Sequence, residues 1–195
     1  MKKIIAVLLA LTVLFAFAAC GGKKTPTDAN TASDAEQAAY TDAVEVLTTI
    51  FAAYEEENKF PVNGGDAENM SFEAPAKYDI AKADELANNF ALPASQAENI
   101  ENAATAVHGM MTNNFSGAAY ILKSDADAKA FADEFTAGLS GRQWLCGLPE
   151  KYVVISAGNC VITAFGLAEL LGNFETTATT VLENAQVLAS GEITE

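Results

Sequence analysis

Two apolar runs set only three residues apart constrain this chain more than any other feature. "YVVIS", Tyr152 to Ser156, and "CVITAF", Cys160 to Phe165, are rich in β-branched and aromatic residues and flank "AGN", a tight hairpin turn. A lone hairpin is marginal in water, so the chain has to supply further strands and cover the sheet they form. "AAYILK", Ala118 to Lys123, has the same character and follows the turn-like "NNFSG", and the segment from about Thr105 to Thr112 is its expected partner.

Helical periodicity alternates with these runs. Ala128, Phe131, Ala132, Phe135 and Leu139 form one stripe behind "SDAD", which offers a cap and negative charge at a helix start. Leu167, Leu170, Leu171, Phe174, Ala178, Val181, Leu182 and Ala185 predict a final helix, with a break expected at Gly172-Asn173. Upstream, "SDAE" at Ser33 to Glu36 reads as a capping box. Tyr40, Val44, Leu47, Phe51 and Tyr54 then extend a long amphipathic helix from about Asp34 to Lys59, ended by Pro61 and "NGG". "DIAKADELANNF", Asp79 to Phe90, is a shorter helix stopped by Leu92-Pro93, and "SQAE" at Ser95 to Glu98 offers a cap for another. Strand-strand-helix thus occurs twice. The expected fold is α+β: an antiparallel sheet of about four strands packed against helices that cover one face, preceded by the long amphipathic helix.

The first residues speak to location. Lys2 and Lys3 precede an apolar run from Ile4 to Phe17, and Ala18 and Ala19 lead into Cys20. That is the charged, apolar and small-residue order of a secretory signal, and the run is shorter than the roughly 20 apolar residues that cross a bilayer core. "FAAC" resembles the bacterial lipobox, with Phe17 where Leu is usual, and the resemblance implies that Cys20 becomes the lipidated first residue. A diacylglyceryl group brings two chains, at about 0.8 kcal/mol per buried methylene, enough for stable anchoring. Residues 1–19 are then the signal peptide, 20–32 a flexible anchored linker without apolar periodicity, and 33–195 a single domain large enough for its own core. The expected location is the extracytoplasmic face of the cell membrane, held there by lipid on Cys20.

The whole chain carries a net charge of −15. Such a surface repels nucleic-acid phosphates and excludes DNA or RNA as expected partners. The chemistry-bearing motifs are few. A single histidine, His108, removes histidine-rich metal sites, and the chain has no Gly-x-Ser-x-Gly, His-Glu-x-x-His, phosphate-cradling glycine loop or Cys-x-x-Cys. His108 reads as solvent-facing or hydrogen-bonded at the core edge, and Met110 and Met111 as core filler. The acidic clusters "EEEN" and "DAD" lack the alternating ligands and turn glycine of a calcium loop and fit solvated helix ends. No cofactor and no metal are implied. Two readings of Cys146 and Cys160 stand side by side. They form a disulfide, closing a loop of about 15 residues and contributing about 3 kcal/mol, or Cys160 is a small buried hydrophobe.

One segment stands apart. "GRQWLCGLPEKY", Gly141 to Tyr152, holds the only tryptophan and the only arginine, with Lys151, in a chain dominated by acid. Either Arg142 and Lys151 pair with neighbouring carboxylates while Trp144 plugs a helix-to-sheet corner, or the three form a binding patch with Trp144 as anchor.

The region "GAAYILKSDADAKAFADEF…LPEKYVVISAGNCVITAF", together with the leader, resembles a domain-of-unknown-function family of Firmicutes lipoproteins. Pro149 and Glu150 match that family's proline-glutamate step and Gly158 and Asn159 its hairpin turn, while Cys160 stands where the family carries tyrosine. The resemblance implies habitat and fold, and no catalytic residue. The expected function is a lipid-anchored module that binds a protein or small-molecule partner rather than an enzyme. The alternatives are an accessory subunit of a membrane complex and a carboxylate-dependent envelope hydrolase, which needs no linear signature.

Overall fold

The strand that carries "CVITAF" is buried at every position, and this decides the architecture. In the computed structural model, which describes residues 39–110, 112–123, 126–144 and 147–194, eight strands form one antiparallel sheet. They are β1 (Val62–Gly64), β2 (Ser71–Phe72), β3 (Ala76–Tyr78), β4 (Ile100–His108), β5 (Phe115–Leu122), β6 (Lys151–Ala157), β7 (Cys160–Gly166) and β8 (Gln186–Glu192). The order is β2-β1-β4-β5-β7-β6-β8, with β3 pairing separately to β4. Among the described residues four α-helices accompany them: α1 (Ala43–Ala52), α2 (Ala83–Phe90), α3 (Ala128–Leu139) and α4 (Ala168–Val181).

Helices cover both faces of the sheet, not the one face expected. Cys160, Ile162 and Ala164 of β7 pack with α1 and α4 residues such as Leu47, Ile50, Leu171 and Phe174. Their neighbours Val161 and Phe165 point the other way, toward Leu86 and Phe90 of α2 and Phe131 and Phe135 of α3. A strand buried on both faces loses the polar-apolar alternation of a half-exposed one, which is why the apolar runs are continuous. The sheet is also twice as wide as expected. The short strands β1–β3 carry too little pattern to be read, and β8 follows directly on Ala185, the last residue of the helical spacing.

That last helix runs unbroken through Gly172-Asn173 but stops at Val181. Its final turns are rich in threonine, and the Thr179 and Thr180 hydroxyls bond back to the carbonyls of Glu175 and Thr176, a competition that weakens helix propagation. Asn184 then adopts a left-handed conformation (φ 56°) and turns the chain into β8. At the helix start, the Glu150 carboxylate accepts from the Ala168 N–H at 2.8 Å, while its backbone bonds Gly166 and Ile193. The proline-glutamate step therefore ties β6, α4 and the C-terminal strand together.

The first helix is shorter than Asp34 to Lys59. Ser33 to Glu36 lies outside the described residues, residues 39–42 are not helical, and α1 begins at Ala43 with the Asp42 carboxylate accepting from the Val44 N–H at 2.8 Å. Two asparagines explain the late start. Asn159, in the β6–β7 turn, takes the Tyr40 N–H at 2.7 Å and donates to its carbonyl at 2.9 Å. Asn102, at the β4 irregularity, likewise brackets Thr41 and Ala43. Both amides mimic a backbone neighbour and hold the entry segment extended. The buried stripe of α1 is Ala43, Val46, Leu47 and Ile50, with Val44 and Phe51 on its flank. Among the described residues no helix is long and apolar enough to cross a membrane.

Candidate binding cleft

On the α2/α3 face, those helices leave one end of the sheet uncovered. There the chain builds a cleft of about 580 Å³, floored by Thr105, Val107 and Ser116, with the β1–β2 hairpin on one side and the end of α2 on the other. Its volume lies in the usual range for small-molecule sites, about 300–1,000 Å³. The hairpin presents two large apolar side chains to solvent, Phe72 at 72% and Met70 at 56% exposure.

Asp66 holds this hairpin in place. Its buried carboxylate accepts from the backbone N–H groups of Glu68 (2.9 Å), Asn69 (3.1 Å) and Asp79 (2.6 Å) and from the Asn69 amide, with Lys82 at 3.4 Å. Burial alone would raise its pKa, but the hydrogen bonds from Asp79 and Asn69 and the Lys82 charge outweigh it and hold the carboxyl below its ordinary value. Gly64 permits the close approach of β1, since a Cβ there would stand 2.3 Å from the Ala76 nitrogen. On the opposite wall the Tyr78 hydroxyl donates to Glu85 at 3.0 Å, and burial pushes its pKa up.

The end of α2 is itself fastened from outside. Ala91 takes a left-handed C-cap, and the Arg142 guanidinium donates to the carbonyls of Ala87 (3.0 Å) and Asn88, two of the groups a helix terminus leaves unpaired. Burial lowers the Arg142 pKa without discharging it. The same guanidinium lies 5.2 Å from the centre of the Trp144 ring, which meets Phe165 edge-on at 5.0 Å. The structure thus brings Arg142 and Trp144 together at the helix end that walls the cleft. It does not bring Lys151 to them: Lys151 opens β6 on the α4 side, near Glu175 and Glu192.

The remaining sequence candidates lie elsewhere. Cys20 and Cys146 are outside the described residues; Cys160 is a buried free thiol whose pKa burial pushes up to about 12. His108 turns to the α1/α4 face, stacks on Phe60 with ring centres 4.6 Å apart, and accepts from the Met110 N–H at 2.9 Å. Burial lowers its pKa. Met110, expected in the core, is 52% exposed, because it follows the end of β4 in the turn toward β5. "EEEN" forms an exposed single turn, and Asp127 caps α3. Among the described residues no cluster suits a metal ion.

Sequence reasoning missed Phe72, Met70 and Asn63, because residues 63–78 carry no periodicity. The available signal was a pair of large apolar residues, "MSF", isolated between a Gly-Gly turn and a proline. No family model, curated protein or solved structure matches this chain.

Replacing Asp66 by Asn leaves fewer acceptor lone pairs for its donors and is expected to lower stability by about 1–3 kcal/mol at pH 7. The native carboxyl has a depressed folded pKa, so its contribution is present above the unfolded value of about 3.9 and is lost as pH falls through the folded one. Urea titrations of both proteins at pH 7 and pH 3 check this: the gap between them should narrow at the lower pH.

Proposed function

We propose that this chain is a lipid-anchored extracytoplasmic bacterial lipoprotein whose domain binds a small molecule in the cleft at the open end of the sheet. The observation that carries the binding role is the pairing of exposed Phe72 and Met70 with a recessed, partly polar floor. Such concave sites, mainly apolar with a few placed polar groups, are where proteins hold ligands. The anchor rests on the order of charge, apolar run and "FAAC" before a polar tether, and on the resemblance to Firmicutes lipoproteins. The acidic surface favours an uncharged or cationic ligand over an anionic one.

Each half of this reading has its own measurement. Intact mass of the membrane-derived protein should show a chain starting at an acylated Cys20, and Cys20→Ser should accumulate as unprocessed precursor; an unmodified Cys20 contradicts the anchor. A thermal-unfolding panel of uncharged, cationic and anionic small molecules should find a compound that raises the midpoint of the wild type and not of Phe72→Ala. Stabilisation that never depends on Phe72 removes the cleft as the site.

A further inference from the structure

The cleft is one end of a longer row of side chains. The strand registers place Phe72 opposite Asn63, Asn63 opposite Val107, Val107 opposite Ser116 and Ser116 opposite Phe165. Directly opposed residues in an antiparallel sheet share a face. Phe72, Asn63, Val107 and Ser116 line the cleft, and Phe165 belongs to the core on that same side. With strands about 4.8 Å apart, the row from Phe72 to Phe165 is about 19 Å long. Trp144 stands against Phe165 at its far end. An exposed aromatic ring thus marks one end, a half-buried indole the other, and an amide and a hydroxyl alternate with Val107 between them.

From this row, and resting on the cleft reading above, we infer that the ligand is an uncharged oligosaccharide lying across the strands from Phe72 to Trp144. Charge supports the choice: no lysine or arginine lines the cleft. Two cations bonded to the cleft's walls are occupied, Arg142 by the α2 carbonyls and Lys82 by Asp66 and Glu68. A carboxylate or phosphate finds no counter-charge there, and Asp66 spends its oxygens on backbone donors. The floor excludes a peptide paired through its backbone, because β1, β4, β5 and β7 have committed their main-chain groups to one another. It also disfavours a purely apolar chain. The Asn63 and Ser116 side chains make no hydrogen bond among the described residues, and covering them with hydrocarbon would strip their hydration with nothing to replace it. A sugar chain answers both demands, since its rings offer C–H faces to flat aromatic surfaces and hydroxyl rims to amides and hydroxyls.

The test uses the full chain in a detergent without a sugar headgroup, titrated with cello-, chito- and maltooligosaccharides of one to six units and with an oligogalacturonate as anionic control. Trp144 is the only tryptophan, so its emission reports the far end of the row. At least one neutral series should bind, with chains of four or more units at least tenfold tighter than the monosaccharide, and should shift Trp144 emission. Phe72→Ala should weaken that binding at least tenfold while leaving the unfolding midpoint unchanged, as expected for so exposed a ring. Oligogalacturonate as the better ligand, or binding indifferent to chain length and to Trp144, overturns the inference. Absence of any sugar binding overturns it too; a different compound that stabilises the wild type but not Phe72→Ala would leave the cleft reading standing, and no such compound would end both.

Discussion

Burial of β7 on both faces is the constraint on which the other elements depend. Its backbone pairs with β5 and β6, and its side chains divide between two aromatic-rich cores. A strand in that position cannot leave main-chain groups unpaired or accept charge, so its composition is restricted to apolar residues and one buried threonine, Thr163. The neighbouring β5 is nearly as enclosed. The amphipathic helices find their places from this: α1 and α4 against Cys160, Ile162 and Ala164, α2 and α3 against the residues between. The buried Cys160 thiol, its ionisation suppressed, behaves there as a small hydrophobe.

The cleft follows from how that coverage ends. The second helix is only eight residues long and stops at a left-handed Ala91, with Arg142 holding its last carbonyls. Beyond it the α2/α3 face is bare over Val107 and Ser116, and the Asp66-bonded hairpin closes one side without roofing it. Trp144 and Arg142 have one structural purpose in this arrangement and, under the function proposed above, a second. They fasten a helix end to the sheet, and they lie where a ligand crossing the strands would reach. A corner plug and a recognition patch are compatible roles, since a residue fixed by packing is well suited to present a rigid surface.

What could be read from the sequence divides along physical lines. The β6–β7 hairpin, α3 and the existence of α2 were legible, because each carries a strong period or turn signal. The second helical layer was not: a continuous apolar strand looks the same whether one face or two are covered, until partners are counted. The extent of α1 was hidden because its start is set by Asn102 and Asn159, which lie 59 and 119 residues away along the chain. The start of α4 was legible and its end was not, since the helical apolar spacing runs on through Ala185 while the threonine-rich last turns and the left-handed Asn184 end the helix at Val181. Of the proposed row, only Trp144 carries a sequence signal for binding. Phe72 and Asn63 belong to strands of two and three residues, below the length at which alternation can be recognised.

Native-state hydrogen exchange tests the two-sided enclosure most directly. Amides of β7 and β5 should exchange only through global unfolding, with a denaturant dependence matching the equilibrium transition, whereas β8 and β2 at the sheet edges should open at lower free energy. Exchange of Val161, Ile162 and Thr163 as fast as that of β8 would contradict the account, because a strand closed between two helical layers has no local route to solvent.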